Sequence, residues 1–329
     1  MSEELTGGLT GELREAYAAC RAIARREAKN FYYAFRVLPR PKSDAMCAVY
    51  AFMRKADDLA DDESLAVPAR REAMAAWTAA WRASRAEGTH DPVFLALNDT
   101  QQRFGISDDL LEKLVQGTTL DLEERVPGVA VVNVALSAQS DEVNENFKVY
   151  ETFDDLYRYC YLVASVVGLV CIRIFGYTEP RAEALAEHVG IAFQLTNILR
   201  DVKEDAERGR VYLPLDDMRT TGADLEQLVA ATHGADVAGE VVKLLKRELQ
   251  RAAIYYADAD ALIPLLEADS RPAMRVLVTI YKELLERIAA DPAVVLHRRV
   301  SVATGKKLAI LAGGLARGMM ESMRTRGSR

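Results

Sequence analysis

"YAFMRKADDLADDE", residues 50–63, sets five carboxylates into seven positions directly behind an Arg-Lys pair, in a stretch that otherwise has the pattern of a buried helix. Helical positions three and four apart share a face, so Tyr50, Arg54, Asp57 and Asp61 form one stripe at steps of 4, 3 and 4. Asp58 and Asp62 lie about 100° further round. A solvated face normally alternates sign, whereas like charges at i, i+4 cost roughly 0.2–0.5 kcal/mol per pair. The stripe therefore calls for compensation, which a divalent cation would supply.

"FQLTNILRDVKEDAERGRVYLP", residues 193–214, carries a second stripe, with Gln194, Asn197, Asp201 and Asp205 at steps of 3, 4 and 4 on a helix whose other faces are apolar. A Gln and an Asn buried there without partners would cost roughly 1–3 kcal/mol each, so they imply a polar ligand or water in a cavity. Both stripes have arginines beside them: Arg54 on the first, Arg200 and Arg210 on the second. Carboxylates alone would suit metal storage. Mixed with arginines they suggest a metal shared with an anion, because Mg²⁺ usually keeps only one or two protein carboxylates and fills its shell with water and substrate phosphates. The implied ligand is a diphosphate, and the implied chemistry is its departure.

The rest of the chain sets the frame. Its 329 residues are half hydrophobic, with Pro and Gly sparse, which predicts an all-α, single-domain protein. Helical periodicity runs over 12–36, 42–63, 68–87, 91–104, 108–123, 153–176, 180–205, 224–231, 236–268, 271–290 and 304–325. Ser43, Ser107 and Thr152 are expected N-caps. Residues 125–147 lack a helical period and read as an insertion, either a hairpin or a partly ordered loop, and a flap near the cavity mouth is one expected role. The acidic opening MSEELTGGLTGELRE predicts no signal peptide and a cytoplasmic protein. The apolar run 162–172 reads as a core helix, and the four cysteines as buried thiols. A net charge of −7 argues against a general nucleic-acid binder.

From Arg298 to Arg329, basic residues outnumber acidic ones eight to one. The division expected is therefore a catalytic body over 1–303 and a basic amphipathic helix over 304–329. Leu308, Leu311, Ala312, Leu315, Met319 and Met323 fall on one face of that helix. It would either dock on the body or make peripheral contact with the inner face of the cell membrane.

These motifs resemble those of the squalene and phytoene synthases, which join two isoprenoid diphosphates head to head. "NFYYAFRVLP" (30–39) is similar to the family's opening motif, and 50–61 to its first aspartate motif. "YCYLVASVVG" (159–168) resembles the motif of the catalytic tyrosine, and 194–214 the second aspartate motif. The resemblance implies an isoprenoid-synthase-type helical bundle around a central cavity. It places the catalytic roles on Tyr159, Asp57, Asp61, Asp201 and Asp205, with Mg²⁺, or Mn²⁺ in its place, on the four aspartates. It assigns substrate binding to Phe31, Tyr50, Arg54, Val163, Gln194, Asn197, Arg200, Arg210, Tyr281 and Arg299, with Arg298 the alternative to Arg299, and a pocket wall to Gly168. Phe31, Tyr50, Tyr159, Phe193 and Tyr281 would line a dry cavity for an allylic cation. That cation, attacked by the 2,3 double bond of the second chain, gives a tertiary cation that loses a proton as the ring closes to a cyclopropylcarbinyl diphosphate.

Ser165 stands where many members have glycine, a feature of the bacterial squalene-forming branch, and two farnesyl diphosphates are therefore the expected substrates. Two geranylgeranyl diphosphates, giving phytoene, are the alternative; need for NADPH and oligomeric state stay open. A non-catalytic assembly factor of the same fold would have lost aspartates that this chain keeps. A terpene cyclase would show an Asn/Ser/Glu metal motif where this chain has "RDVKED".

Overall fold

The computed structural model describes residues 10–123, 125–137 and 142–327. The chain enters through α1 (Gly11–Glu27) and α2 (Lys29–Phe35), then α3 (Arg40–Ala60), α4 (Val67–Glu87), α5 (Pro92–Phe104) and α6 (Asp108–Thr119). A hairpin, β1 (Val129–Ser137) and β2 (Glu142–Tyr150), separates these from α7 (Phe153–Cys160), a π-helical turn (Tyr161–Ser165) and α8 (Val166–Phe175). There follow α9 (Ala182–Arg200), α10 (Val202–Ala206), the short strand β3 (Arg210–Val211), α11 (Leu215–Thr221), α12 (Leu225–Thr232), α13 (Gly239–Leu262), α14 (Arg271–Ala290) and α15 (Thr304–Gly327).

Ser107 and Thr152 cap as expected, accepting from Leu110 N at 3.3 Å and Asp155 N at 3.2 Å. Ser43 does not. The helix begins one turn earlier, at Arg40, with Pro41 in its first turn, and Ser43 N already donates to Pro39 O at 2.9 Å. Proline fits that first turn because its missing N–H would have no helical partner there. The run expected over 12–36 divides at Ala28, and the run over 180–205 divides at Asp201, whose φ of −106° leaves the helical range. The insertion takes the hairpin form of the two expected: β1 and β2 pair antiparallel through nine register pairs, from Val129↔Tyr150 to Ser137↔Glu142, so it runs three residues past the expected end at 147. Exposed and buried positions alternate along it, as at Asn146, Phe147, Lys148 and Val149, the period a half-buried strand requires. α11 was not legible as a helix, being only about two turns long behind Pro214.

Two large apolar clusters form most of the described core, with a small third one of Ala56, Ala60, Met74 and Leu122. One gathers α1, α3, α5, α6 and α8; the other gathers α12 and the hairpin, with residues of α9, α13 and α14 divided between the two. Phe31 and Phe193 pack against both, so the seam between clusters is where a cavity can lie. The segment Phe153–Phe175 is long and apolar enough to cross a bilayer by length and composition. Here Val166, Val170 and Ile174 are buried in the core while Val163, Val167 and Cys171 face the cavity. Cys20, Cys47 and Cys160 are buried and free; Cys171 departs from that expectation by reaching the cavity wall.

α15 lies along α14 and touches α2. Ile310 packs against the core, and at Gly314 an added Cβ would stand 2.5 Å from Val276 Cγ2, so the helices approach as closely as a glycine permits. Leu308 of the expected apolar face is nevertheless half exposed. The side chains of Leu315, Met319 and Met323 lie outside those described.

Charges inside the fold are paired. Asp217 on α11 and Glu248 on α13, 3% and 1% exposed, both accept from Arg251 (2.7 and 2.5 Å), and Asp217 also from Arg247. This ties the chain just after β3 to the helix that packs on α9. Burial pushes Glu248 up to about 7, against the pull of Arg251. A carboxyl that holds its proton more tightly when folded makes the unfolding free energy fall as pH rises from about 4.5 to 7. Arg251→Met should cost about 3–5 kcal/mol near pH 8, since it leaves buried Glu248 without its partner and Asp217 with Arg247 alone. The loss should shrink toward pH 5; urea unfolding at both pH values checks this.

Candidate active site

The cavity at the seam encloses about 440 Å³. α3 contributes Met46, Val49, Tyr50, Met53, Arg54 and Asp57, one helical face running from apolar to charged. α9 contributes Val189, Gly190, Phe193, Gln194, Asn197 and Arg200 in the same polarity. Because both helices run the same gradient, the chamber is apolar at one end, where Phe175, Leu262 and Met274 stand, and charged at the other. Gly190 permits this closeness: a Cβ there would sit 2.5 Å from Ser165 Cα. The π-helical turn beside it carries Val163 and Ala164 to the wall. Such turns mark functional positions because one extra residue re-aims its neighbours.

An aromatic wall crosses the middle. Phe193 and Tyr281 stack at 4.3 Å and 15°, and Phe31 meets Tyr281 at 6.0 Å. Tyr50 stands edge-on to Phe35 at 6.3 Å. Tyr281 is buried, and burial raises its hydroxyl above the ordinary range while Arg200 and Asn197 pull it back.

The charged end has acids that repel. Asp57 is pushed up to about 6 by burial and then by Asp61, against Arg54. Asp205 is pushed up to about 7 by burial and then by Asp201, against Arg210. Arg54 pairs with Asp58 at 2.5 Å rather than with its own stripe, and its buried Nε has no partner. Asn197 donates to Gln194 Oε1 at 3.3 Å, leaving its buried Oδ1 without one. Asp201 is held by Arg200 Nε at 2.8 Å and by Arg299 Nε at 2.7 Å, which selects Arg299 over Arg298 as the late arginine.

An unpartnered donor, an unpartnered carbonyl acceptor and two self-repelling carboxylate pairs fit an anion bound together with a divalent cation. Among the described residues no three Asp, Glu, His or Cys side chains converge as a ready cage. Each aspartate pair would therefore hold a metal jointly with substrate oxygens, as Mg²⁺ prefers.

Of the sequence-derived site residues, Phe31, Tyr50, Arg54, Asp57, Val163, Gln194, Asn197, Arg200 and Tyr281 line this cavity, as does Gly168. Asp61, Asp201, Asp205, Arg210 and Arg299 do not line it; Asp201 and Asp205 follow directly on the cavity-lining end of α9, with Arg299 on Asp201 and Arg210 acting on Asp205. Tyr159 is not on the cavity wall either. It stacks on Tyr212 at 5.0 Å and lies 5.6 Å from Tyr150. Ser165, expected to bear on product choice, is fully buried and donates to Glu187 O at 2.7 Å, away from the chamber. Glu27, at the end of α1, lines the cavity and was not anticipated. It stands before the opening motif with no periodic partner, so no pattern in the chain marks it.

Residues 24–306 match the family model described as squalene/phytoene synthase. The chain belongs to this family. A phytoene synthase of Mycobacterium tuberculosis is 34% identical over 305 residues, covering 93% of this chain and 92% of the relative. One of Arthrospira platensis is 32% identical, covering 90% and 91%. A dehydrosqualene synthase structure superposes with a TM-score of 0.76 at 26% identity, over 94% of this chain and 98% of that one. The fold is shared with a squalene synthase from Alicyclobacillus acidocaldarius, at a TM-score of 0.73 and 23% identity over 89% and 99%. The protein is thus a prenyltransferase of all-α, isoprenoid-synthase-type fold.

Asp57→Ala and Asp201→Ala should each lower turnover by at least about a hundredfold, the order seen when one charge-stabilising group is removed. Far-UV circular dichroism should stay that of the parent, and excess chelator should reproduce the loss in the unaltered enzyme.

Proposed function

We propose that the enzyme condenses two geranylgeranyl diphosphates head to head, through a cyclopropylcarbinyl diphosphate, toward phytoene. The observation that carries the C20 assignment is the 30–34% identity, over nearly the whole chain, to proteins named phytoene synthases. It replaces the C15 preference drawn from Ser165, whose side chain points away from the chamber. The C15 reading keeps one support, the likeness to a dehydrosqualene synthase.

In this reading Arg54, with its free Nε, and Arg200 and Arg210 grip the oxygens of the departing diphosphate. Guanidinium forks suit that task because they donate in pairs and never lose their charge. A divalent cation, when bound, neutralises the diphosphate and favours its departure. Asp57 with Asp61, and Asp201 with Asp205, would each hold such a cation. The wall of Phe31, Phe193 and Tyr281 faces the allylic cation with ring faces, each contributing up to about 2 kcal/mol in a dry site. The apolar end excludes water, which would otherwise quench the cation. Tyr159, off the chamber wall, would act from its ring cluster with Tyr212, which follows Arg210 by two residues.

Purified enzyme incubated with Mg²⁺ and either farnesyl or geranylgeranyl diphosphate, with and without NADPH, tests this directly. Phytoene or its cyclopropyl precursor from the C20 substrate is expected, unaffected by NADPH. Turnover of the C15 substrate alone would reverse the assignment.

A weak membrane contact through α15 is also proposed, its described residues including the half-exposed Leu308 and Lys306, the latter paired with Glu283 at 3.4 Å. Each basic residue near an anionic surface adds about 1 kcal/mol. Salt-sensitive sedimentation with anionic vesicles, lost on truncation before Thr304, is the expected outcome. Equal sedimentation of both chains would assign α15 to the body alone.

A further inference from the structure

The insertion between α6 and α7 is not explained by the reaction assigned above. The hairpin is tied down at its base, where β2 ends, and β1 also packs against α12. β2 pairs in parallel with β3, Lys148 opposite Arg210 and Val149 opposite Val211, and Lys148 N donates to Gly209 O at 2.8 Å. Gly209 has φ +69°, and a Cβ there would stand 3.0 Å from Asn146 O, so only glycine lets the strands close without displacing that carbonyl. Phe147 and Val149 are fully buried under the sheet.

The base is locked to the helix that carries Tyr159. A Cβ on Gly128, φ +77°, would overlap the Asp155 carboxyl at 2.1 Å, so the turn before β1 lies directly on the first turn of α7. Gly128 O also accepts from Glu151 N at 2.9 Å. At the far end of β2, Tyr150 completes a three-ring cluster. It stacks on Tyr212 at 5.9 Å and 21° and tilts against Tyr159 at 5.6 Å and 44°. Tyr159 and Tyr212 stack at 5.0 Å and 28°, their hydroxyls 3.3 Å apart.

One element therefore touches two segments distant in sequence: α7 with Tyr159, and the strand that carries Arg210 behind the Asp205 turn. We propose that the β1–β2 hairpin is a rigid brace that sets the positions of Tyr159 and Arg210, with Tyr150 as its positioning residue. This rests on the reading of Tyr159 and Arg210 as groups at the reacting diphosphate. A group held to the right place to within an ångström is worth up to about a hundredfold in rate, and two strands and a ring cluster restrain position better than a loop does.

The test uses the full-length enzyme with Tyr150→Leu, Tyr150→Phe and Gly209→Ala. Gly209→Ala removes no ring and acts first at the β2–β3 junction, which guards against a packing defect at Tyr150. Steady-state rates with prenyl diphosphate are read alongside amide hydrogen exchange at Lys148 and over residues 156–160 and 207–212. The brace predicts a fall of about 10- to 100-fold in kcat for Tyr150→Leu and Gly209→Ala, with KM little changed and exchange accelerated in those segments. Tyr150→Phe, which keeps the ring, should behave as the parent. Unchanged kcat in Tyr150→Leu, or a rise in KM alone, would overturn it. If the parent enzyme turns over no prenyl diphosphate, the functional reading fails by itself, and the exchange data then decide alone whether the hairpin holds these segments: parent-like exchange in both variants overturns the brace.

Discussion

Carboxylates on one helix face repel each other, and this protein sets two such pairs at the rim of an apolar chamber, where solvent screens them poorly. Asp57 and Asp205 are held well above the ordinary carboxylate range by burial and by their partners Asp61 and Asp201. A fold carries such repulsion only if something else settles it. Much of the remaining architecture follows from that requirement. Arg200 and Arg299 converge on Asp201, Arg210 is brought beside Asp205, and Arg54 keeps one donor unpartnered at the chamber mouth.

The apolar half imposes the opposite demand. A cavity of about 440 Å³ inside a close-packed protein has to be held open by its walls. Here two separate apolar clusters meet without merging, bridged by Phe31 and Phe193. At its apolar end the seam is fastened by Lys42, whose buried ammonium reaches Phe175 O at 2.8 Å, Glu267 at 2.7 Å and Asp269 at 2.6 Å. Gradient and fastening together make one end suited to hydrocarbon and the other to phosphate, which is the shape of a prenyl diphosphate.

Local sequence rules reached far because the chemistry is written on helices. A helix converts a spacing of three or four into a shared face whatever surrounds it, so Arg54 with Asp57, and Gln194 with Asn197, were legible as site residues before any contact was known. Caps at Ser107 and Thr152 were legible for the same reason, being set within four residues. The rule failed where a helix changes register. Nothing local marks the break at Ala28, the break at Asp201 or the π-helical turn at Tyr161–Ser165, because each is the outcome of packing against another element.

The sequence by itself determined the fold class, the two acidic stripes and the residue types that a metal-assisted diphosphate departure needs, since all of these depend on separations of a few residues. Tertiary structure alone decided the rest. It turned Ser165 toward Glu187 O, brought Glu27 to the wall, chose Arg299 over Arg298, and put Tyr159 into a ring cluster rather than on the chamber wall. It also made the insertion a braced hairpin, by pairing β2 with a strand some sixty residues later. Those outcomes depend on which distant segments meet, and the free energy that selects them, burial and strand pairing across the whole chain, has no signature in any single stretch.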